Sequence, residues 1–198
     1  MQAEFWNERF GRTEFVYGKA ANAFLQQVLP TIKGKTLLLP GEGEGRNAVW
    51  AATQQWKVTA FDQSTAGKQK CQQLADEFKV AVEYLISGAE DFKSEINFDA
   101  VGLFYLHLPE SIRRAFHNKI WEYVAPGGHL ILEGFNPKQL NNTSGGPKDA
   151  SMLFDLETLK LDFPKATFSI AEEIETILDE GPFHQGKAAV TRILAIKA

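Results

Sequence analysis

The chain has 198 residues, 44% of them hydrophobic and 23% charged, which is ordinary for a globular protein able to bury a sizeable core. Its formal net charge of −4 argues against nucleic acid as the main partner, because phosphate binding needs clustered lysine and arginine. The one cysteine, Cys71, cannot form an internal disulfide, and no Cys/His cluster has zinc spacing. No stretch approaches 18 apolar residues and the N-terminus lacks an apolar signal core, so we expect a cytoplasmic chain with no membrane partner.

The N-terminal segment, residues 1–34, is strongly aromatic and precedes the first predicted strand. Short helices are predicted from Trp6 to Phe10 and from Asn22 to Leu29, with Gly11 and Gly18 as breaks. Two interpretations stay open. The segment is either a cap whose aromatic rings pack on the edge of the main fold, or a lid that closes over a ligand and shapes a water-poor pocket.

A glycine-rich turn follows the first predicted strand. Thr36 to Leu39 is a short apolar run ended by Pro40, which suits a strand buried on both faces. Gly41, Gly43 and Gly45 then occupy every second position. Because glycine has no Cβ, each can adopt a positive φ and let a ligand approach the main chain closely. The pattern therefore predicts a strand followed by a tight, ligand-accessible turn.

A helix and a second strand complete this unit. The helix begins near Asn47 and directs its N-terminal N–H groups and positive dipole end over the glycine turn. The second strand, Val58 to Phe61, ends at Asp62, about 20 residues after Gly41. In a nucleotide-binding βαβ unit a carboxylate at this separation accepts hydrogen bonds from ribose hydroxyls. The sequence thus predicts a ligand that contains a ribonucleoside.

The spacing of the glycines favours one ligand over another. A dinucleotide fingerprint, G-x-G-x-x-G, would need a third glycine where this chain has Arg46, and the pattern here is G-x-G-x-G. In this respect the sequence resembles the class I methyltransferases that bind S-adenosylmethionine. The string GEGEGRNAVWAA, with Trp6 to Phe10 and Phe15 to Gly18 before it, is similar to a small-molecule subgroup related to tellurite-resistance methyltransferases.

The resemblance implies S-adenosyl-L-methionine as the cofactor and supplies a set of cofactor-binding residues. In the family, the loop after the third strand contacts adenine, and here a main-chain contact at Ala89 is expected. An acidic residue usually stands two positions before the first glycine; here that position is Leu39, and Glu42 is the expected replacement. The predicted cofactor-binding residues are Gly41, Glu42, Gly43, Gly45, Asn47, Asp62, Gln63, Ala89, Glu90 and Leu106.

Strands and helices alternate through the rest of the chain. The predicted strands are Val80 to Ile86, Phe98 to Phe104, His129 to Glu133 after a turn at Pro126–Gly128, and a hairpin of Thr167 to Leu178 with Ala188 to Ile196. This order predicts a Rossmann-like, doubly wound α/β sheet of seven strands, mostly parallel with one antiparallel strand and with helices on both faces. Residues 35–198 form this core, within a single methyltransferase domain of 1–198. The long loop at 134–152 is expected to be functional, mobile or an irregular surface excursion.

Three residues are candidates for catalysis. Tyr17 lies in the aromatic segment, His107 follows the fourth strand, and His184 lies in the final hairpin. His107 acts as a general base or orients a substrate, with the alternative of a structural histidine bonded to a loop. His184 either reaches over the pocket or lies at the surface. Glu133 is either an acid–base group or a hydrogen-bonding partner of the long loop. No metal ligands are predicted.

The favoured function is methyl transfer to a small-molecule acceptor, a thiol or a metalloid oxyanion included. An NAD-dependent oxidoreductase is the alternative, which Arg46 disfavours. A third hypothesis is a non-catalytic module that binds S-adenosylmethionine, since the family does not require a fixed catalytic base. The sequence leaves open a monomer or a homodimer.

Overall fold

A computed structural model describes residues 2–198. The strands are β1 (Thr36–Pro40), β2 (Lys57–Asp62), β3 (Glu83–Ile86), β4 (Phe98–Phe104), β5 (Val124–Phe135), β6 (Ala166–Asp179) and β7 (Gln185–Lys197). The α-helices are α1 (Gln2–Phe10), α2 (Ala23–Val28), α3 (Arg46–Thr53), α4 (Thr65–Phe78), α5 (Glu110–Glu122) and α6 (Leu156–Lys160). Short 3-10 helices lie at Leu29–Thr31, Pro137–Asn141 and Ala150–Met152.

All seven strands form one sheet in the order β3-β2-β1-β4-β5-β7-β6. β1 to β5 are parallel, while β7 pairs in antiparallel fashion with both β5 and β6. The predicted fold class, a mostly parallel sheet with one antiparallel strand from a C-terminal hairpin, is therefore confirmed. The strand order reverses between β1 and β4, and ligands of open α/β sheets bind at the carboxyl ends of the strands at such a reversal.

The sheet separates two apolar cores. In β1, Leu37 and Leu39 face the helices α2, α3 and α4, and Leu38 faces α5 and α6, because alternate side chains of a strand point to opposite faces. All three leucines are fully buried. The apolar run Thr36–Leu39 is thus explained by burial on both faces.

Several predicted boundaries were wrong. β5 begins at Val124 rather than His129, because Pro126–Gly128 does not reverse the chain but bulges within an extended strand, with Gly127 at φ +74°. β3 begins at Glu83 rather than Val80. The N-terminal helix begins at Gln2 rather than Trp6.

The long connection after β5 is ordered by its own hydrogen bonds. The buried Gln139 side chain donates to Ser144 Oγ and to Gly145 O, each at 3.0 Å, and accepts from Ala189 N at 2.9 Å. These bonds attach the connection to β7. Among the residues 2–198, no helix is long and apolar enough to cross a membrane.

Candidate functional site

The glycine loop joins β1 to α3 by a turn that only glycine adopts easily. Gly41, Gly43 and Gly45 have φ values of +63°, +62° and +88°. Residues with a Cβ disfavour this left-handed region. Two main-chain donors of the loop, Gly41 N and Glu42 N, bond to Phe61 O at 2.7 and 3.2 Å and so hold the loop against the end of β2.

Side chains from three other segments contact the glycines. A Cβ on Gly41 would lie 2.7 Å from Leu106 Cδ1, and one on Gly43 would lie 2.9 Å from Phe10 Cζ. A Cβ on Gly45 would collide with Cys71, which is buried in the core. Because Phe10 belongs to α1, the N-terminal segment covers the glycine loop directly.

Asp62 ends β2 beside this loop. Its carboxylate accepts from Gly43 N at 3.2 Å and from Ser64 N at 2.8 Å, and the side chain is half-buried. Burial raises the pKa of Asp62, against the opposing effect of these main-chain donors. A carboxylate offers about four acceptor positions, so two main-chain bonds leave capacity for ligand hydroxyls. The neighbouring Gln63 is also half-buried.

Glu42 and Asn47 bond to each other at the start of α3. The buried Glu42 carboxylate accepts from Ala48 N at 2.7 Å and from Asn47 Nδ2 at 3.4 Å. Burial raises the pKa of Glu42 to about 7, although these hydrogen bonds and the Arg46 charge lower it. Asn47 Oδ1 accepts from Asn22 N at 2.8 Å, which ties the N-terminal segment to α3.

The remaining predicted cofactor residues lie at the carboxyl ends of β3 and β4. Ala89 is half-buried against the core next to α5, whereas Glu90 is exposed and its main-chain oxygen accepts from Lys119 Nζ at 2.8 Å. Leu106 is half-buried over Gly41. This placement matches the edge of the sheet where a ligand is expected.

The three candidate catalytic residues divide into a pair and a separate histidine. The rings of Tyr17 and His184 lie 4.6 Å apart, and Tyr17 Oη accepts from Arg9 Nη1 at 3.0 Å. His107 is engaged on both ring nitrogens: Nδ1 lies 2.8 Å from Met152 O, and Nε2 accepts from Phe135 N at 3.1 Å. Burial lowers the pKa of His107 to about 4. This geometry favours the structural role for His107, since no ring nitrogen remains free.

A buried polar network lies beside Tyr17 and His184, and it was not predicted from the sequence. Arg46 Nη2 donates to Glu180 Oε2 at 2.9 Å, and Arg192 Nε donates to Glu133 Oε2 at 2.5 Å. Asn22 Nδ2 bridges the two carboxylates, at 2.6 Å from Glu133 Oε1 and 3.2 Å from Glu180 Oε1. The one sequence signal was the charged residue Arg46, directly after the last glycine of the loop.

Tyr105 is a second site residue that was not predicted from the sequence. It follows β4 in the left-handed region at φ +53°, a conformation that is strained for a non-glycine residue. Its hydroxyl donates to Glu133 Oε1 at 2.9 Å, and its ring lies 4.4 Å from that of His184. Burial raises the pKa of Tyr105 well above its usual value, so the hydroxyl stays protonated.

The residues present fit a nucleoside cofactor. The half-buried Asp62 carboxylate retains acceptor capacity beside the main chain of the glycine loop, where ribose hydroxyls would bind. No group of three or more His, Cys, Asp or Glu residues that could hold a metal ion occurs in the described part of the chain.

Comparison with known families gives one match. Residues 38–128 match the family model described as "Methyltransferase domain", a span that runs from β1 into β5 and includes the glycine loop, Asp62 and Ala89. This portion of the chain is similar to methyltransferase domains, and the predicted enzyme class is confirmed. No curated protein matches the sequence at a significant level.

Solved structures share the fold over the whole chain at low identity. A structure described for the conversion of a disulfide bond into a thioacetal group during echinomycin biosynthesis is 12% identical, with a TM-score of 0.81, and the match covers 100% of this chain and 92% of that one. TehB from Haemophilus influenzae is 15% identical over 100% of this chain and 67% of that one, with a TM-score of 0.75.

Magnesium protoporphyrin IX methyltransferase from Synechocystis PCC 6803, solved with bound S-adenosylhomocysteine, is 16% identical, with a TM-score of 0.71; that match covers 100% of this chain and 98% of the other. The fold is therefore that of S-adenosylmethionine-dependent methyltransferases, as expected from the glycine pattern.

Proposed function

We propose that the chain transfers a methyl group from S-adenosyl-L-methionine to a small-molecule acceptor, a thiol or a metalloid oxyanion. One observation carries the proposal: the half-buried Asp62 carboxylate stands beside the main chain of Gly43 at the reversal of strand order, within the matched domain. A carboxylate in this position is suited to ribose hydroxyls.

The cofactor-binding residues predicted from the sequence keep their roles in this proposal. Asp62, with Gln63, holds the ribose, and Ala89 and Glu90 contact the adenine through the main chain. The loop of Gly41, Gly43 and Gly45 lies against the methionine portion. In this proposal Leu106 closes the site from the end of β4. Glu42 acts through Asn47 and the first turn of α3, because its carboxylate is already bonded there.

The cofactor supplies a methyl group that its sulfonium has already activated. The protein therefore has to align the acceptor and exclude water. Phe10 of α1 lies over Gly43, and Tyr17 lies against His184, so the N-terminal segment forms the cover that excludes water. Of the three candidate catalytic residues, Tyr17 and His184 are placed at the acceptor, and His107 holds the connection after β5.

A soft acceptor is supported by the aromatic walls around His184 and by two structural likenesses. Tyr17, Tyr105 and Phe135 surround the imidazole. One similar structure is described for the conversion of a disulfide bond into a thioacetal group, and another is that of TehB. Membership of the tellurite-resistance-related subgroup is part of this proposal, as are a cytoplasmic location and a monomer or homodimer that does not bind nucleic acid.

The test is an acceptor screen that measures formation of S-adenosylhomocysteine, with alkyl and aryl thiols, tellurite and selenite as acceptors. We expect turnover of at least one thiol or oxyanion. Cofactor binding without turnover of any acceptor would support the non-catalytic binding module instead. Affinity for NADH with none for S-adenosylmethionine would support the oxidoreductase and overturn the proposal.

A further inference from the structure

His184 is enclosed by aromatic rings from three segments. Its ring centroid lies 4.6 Å from that of Tyr17, 4.4 Å from that of Tyr105 and 5.2 Å from that of Phe135. Only 6% of its surface is exposed. The imidazole therefore stands where the N-terminal segment, the end of β4 and the final hairpin meet.

One nitrogen of this imidazole lacks a hydrogen-bonding partner. His184 Nδ1 is buried and makes no hydrogen bond of acceptable geometry to a described residue, and its nearest carboxylate oxygen, Glu180 Oε2, is 3.5 Å away. Buried polar atoms without a partner are rare and require an explanation. Hydrogen bonds of catalytic pairs are often long before a substrate binds.

Glu180 is a fixed carboxylate. Arg46 Nη2 donates to one of its oxygens and Asn22 Nδ2 donates to the other. The pair of Arg46 and Glu180 is almost completely buried. Because Arg46 opens α3 directly after Gly45, the position of Glu180 depends on the glycine loop as well as on the hairpin.

Gly145 lies beside the second ring nitrogen of His184, Nε2. A Cβ on Gly145 would lie 3.5 Å from His184 Nε2 and 2.5 Å from Phe183 O. Of the two ring nitrogens, Nδ1 is the completely buried one without a partner, and Nε2 is not.

We propose that Glu180 and His184 form a carboxylate–imidazole pair in which His184 Nε2 takes the proton of a thiol acceptor. The proposal rests on the function proposed above and deepens it, because it names His184 as the catalytic residue, Glu180 as a positioning residue and a protonated thiol as the acceptor class.

The proton and electrons balance without another reactant. The Nε2 lone pair forms the new N–H bond, and the electron pair of the S–H bond stays on the acceptor sulfur. That sulfur bonds to the methyl carbon as the bond from carbon to the sulfonium breaks, and the electron pair of the broken bond leaves with the donor sulfur. The imidazolium then returns its proton to water. In the neutral imidazole, Nδ1–H points to Glu180, which stabilises the cation that forms.

A thiol suits these surroundings better than an oxyanion. The two arginines of the buried network are already neutralised, because Arg46 pairs with Glu180 and Arg192 pairs with Glu133. The walls are aromatic. An oxyanion would enter an apolar space whose cations are occupied, and its selenium or tellurium atom needs no base because it already carries a free lone pair.

The charged and titratable groups around His184 come from several elements, and His107 is one of them. Glu180 and Arg46 lie on one side, Tyr105 and Glu133 on another, and Tyr17, bonded to Arg9, covers the third. Burial lowers the pKa of His184, against the effect of Glu180, so the ring is neutral at pH 7 and able to accept a proton.

The first arm of the test is the pH dependence of thiol methylation by the full chain. At pH 6.5, His184→Gln should lower kcat with 2-mercaptoethanol about 100-fold, the range for a lost general base. The deficit should shrink several-fold as the pH rises through the pKa of the thiol acceptor, because the thiolate then forms without a base. His129→Gln, in the middle of β5, is the matched control and should behave as wild type.

The second arm needs no turnover. In 15N-histidine NMR of the wild type, His184 should be the Nδ1–H tautomer, which is the less common form of a free imidazole. An Nε2–H tautomer would overturn the proposal even if His184→Gln failed to fold. A kcat deficit that stays constant with pH would also overturn it, because that result indicates a packing role.

The outcomes separate this proposal from the function on which it rests. Loss of S-adenosylmethionine binding in the wild type would defeat both. Binding with turnover of tellurite and of no thiol would leave the methyltransferase function intact and overturn the thiol assignment. Binding, thiol turnover and a wild-type rate in His184→Gln would overturn only the role of His184.

Discussion

Two buried carboxylates, those of Glu42 and Glu180, lie next to the first turn of α3, and their pKa values are shifted in opposite directions. The Glu42 carboxylate accepts hydrogen bonds from Ala48 N and from the Asn47 side-chain amide, and burial raises its pKa to about 7. Glu180 is equally buried, which raises its pKa, yet the nearby imidazole of His184 and the Arg46 guanidinium outweigh burial and lower it to about 2.

The difference teaches what each carboxylate contributes near neutral pH. A main-chain N–H and an amide stabilise a carboxylate less than a guanidinium does, so Glu42 changes charge near pH 7 while Glu180 remains ionised. The glycine-loop side of α3 is therefore sensitive to pH, and the hairpin side is a fixed charge pair. Since Arg46 lies between the two carboxylates, variants at this turn separate the two behaviours.

The largest effect is expected from breaking the fixed pair. Arg46→Met leaves the Glu180 carboxylate buried without its guanidinium partner, and we expect a loss of about 3–5 kcal/mol in the free energy of unfolding. Denaturant unfolding at pH 7 measures it. Lys138→Met removes an exposed pair with Glu173 and should change the free energy by less than about 1 kcal/mol.

The double variant Arg46→Met with Glu180→Leu tests whether the loss of stability comes from an unpaired buried charge. Removing both charges should recover most of the loss, because no unpaired buried charge remains. A double variant as unstable as Arg46→Met alone would mean that the loss comes from packing and not from charge.

The glycine loop gives the second effect. Gly45→Ala places a Cβ into Cys71 at φ +88°, whereas Gly127→Ala has a similar φ of +74° with nothing within 4 Å. Left-handed strain alone costs about 1–2 kcal/mol, and overpacking adds about 1–3 kcal/mol. Thermal or denaturant unfolding should therefore show a clearly larger loss for Gly45→Ala. Equal losses would show that the close approach of Cys71 is unimportant.

The third effect is on the pH dependence of the free energy of unfolding, to which Glu42 and Glu180 contribute with opposite signs. Because the folded pKa of Glu42 is raised from 4.5 to about 7, its contribution to stability is full below pH 4.5 and is lost as the pH rises through 7. Glu42→Gln should thus stabilise the protein at pH 8 by up to roughly 3 kcal/mol, and by little at pH 4.5. Denaturant unfolding across this range measures the difference.

Glu180→Gln is the comparison for this experiment. The folded pKa of Glu180 is depressed, so its contribution is present above pH 4.5 and is lost as the pH falls through about 2. The variant should be less stable than wild type at pH 8. Stabilisation by both substitutions at pH 8 would contradict the assigned environments.

The fold and the glycine loop could be predicted because their determinants are local. The unit from Leu37 to Asp62 lies within 26 consecutive residues, and its glycines are required by positive φ values that other residues disfavour. Burial of β1 on both faces likewise follows from a continuous apolar run. Such features depend on neighbours in the sequence, which a single chain displays.

The buried network could not be predicted because its members come from distant segments. Arg46 and Glu180 are 134 residues apart, and Asn22 and Glu133 are 111 apart. Nothing in the spacing of these residues indicates their partners. The start of β5 was misjudged for a related reason: Pro126–Gly128 is a turn signal, and pairing with β4 on both sides of it keeps the strand extended.

His107 shows how far the role of a single residue can be predicted from its position in the sequence. Its position after β4 suits a catalytic base, but its partners, Met152 O and Phe135 N, are supplied by tertiary folding. Its role remains a prediction. The contacts on both nitrogens favour structure over catalysis.

The most direct test is calorimetric titration of wild type, Asp62→Ala and Asp179→Ala with S-adenosylmethionine and S-adenosylhomocysteine. We expect micromolar binding to wild type, a loss of about 1–3 kcal/mol in Asp62→Ala, the range for a hydrogen bond to a charged group, and no change in Asp179→Ala, an exposed residue at the end of β6. Folding of each variant is checked by thermal unfolding. Absence of binding to both compounds, or unchanged affinity in a folded Asp62→Ala protein, would contradict a cofactor site at the glycine loop.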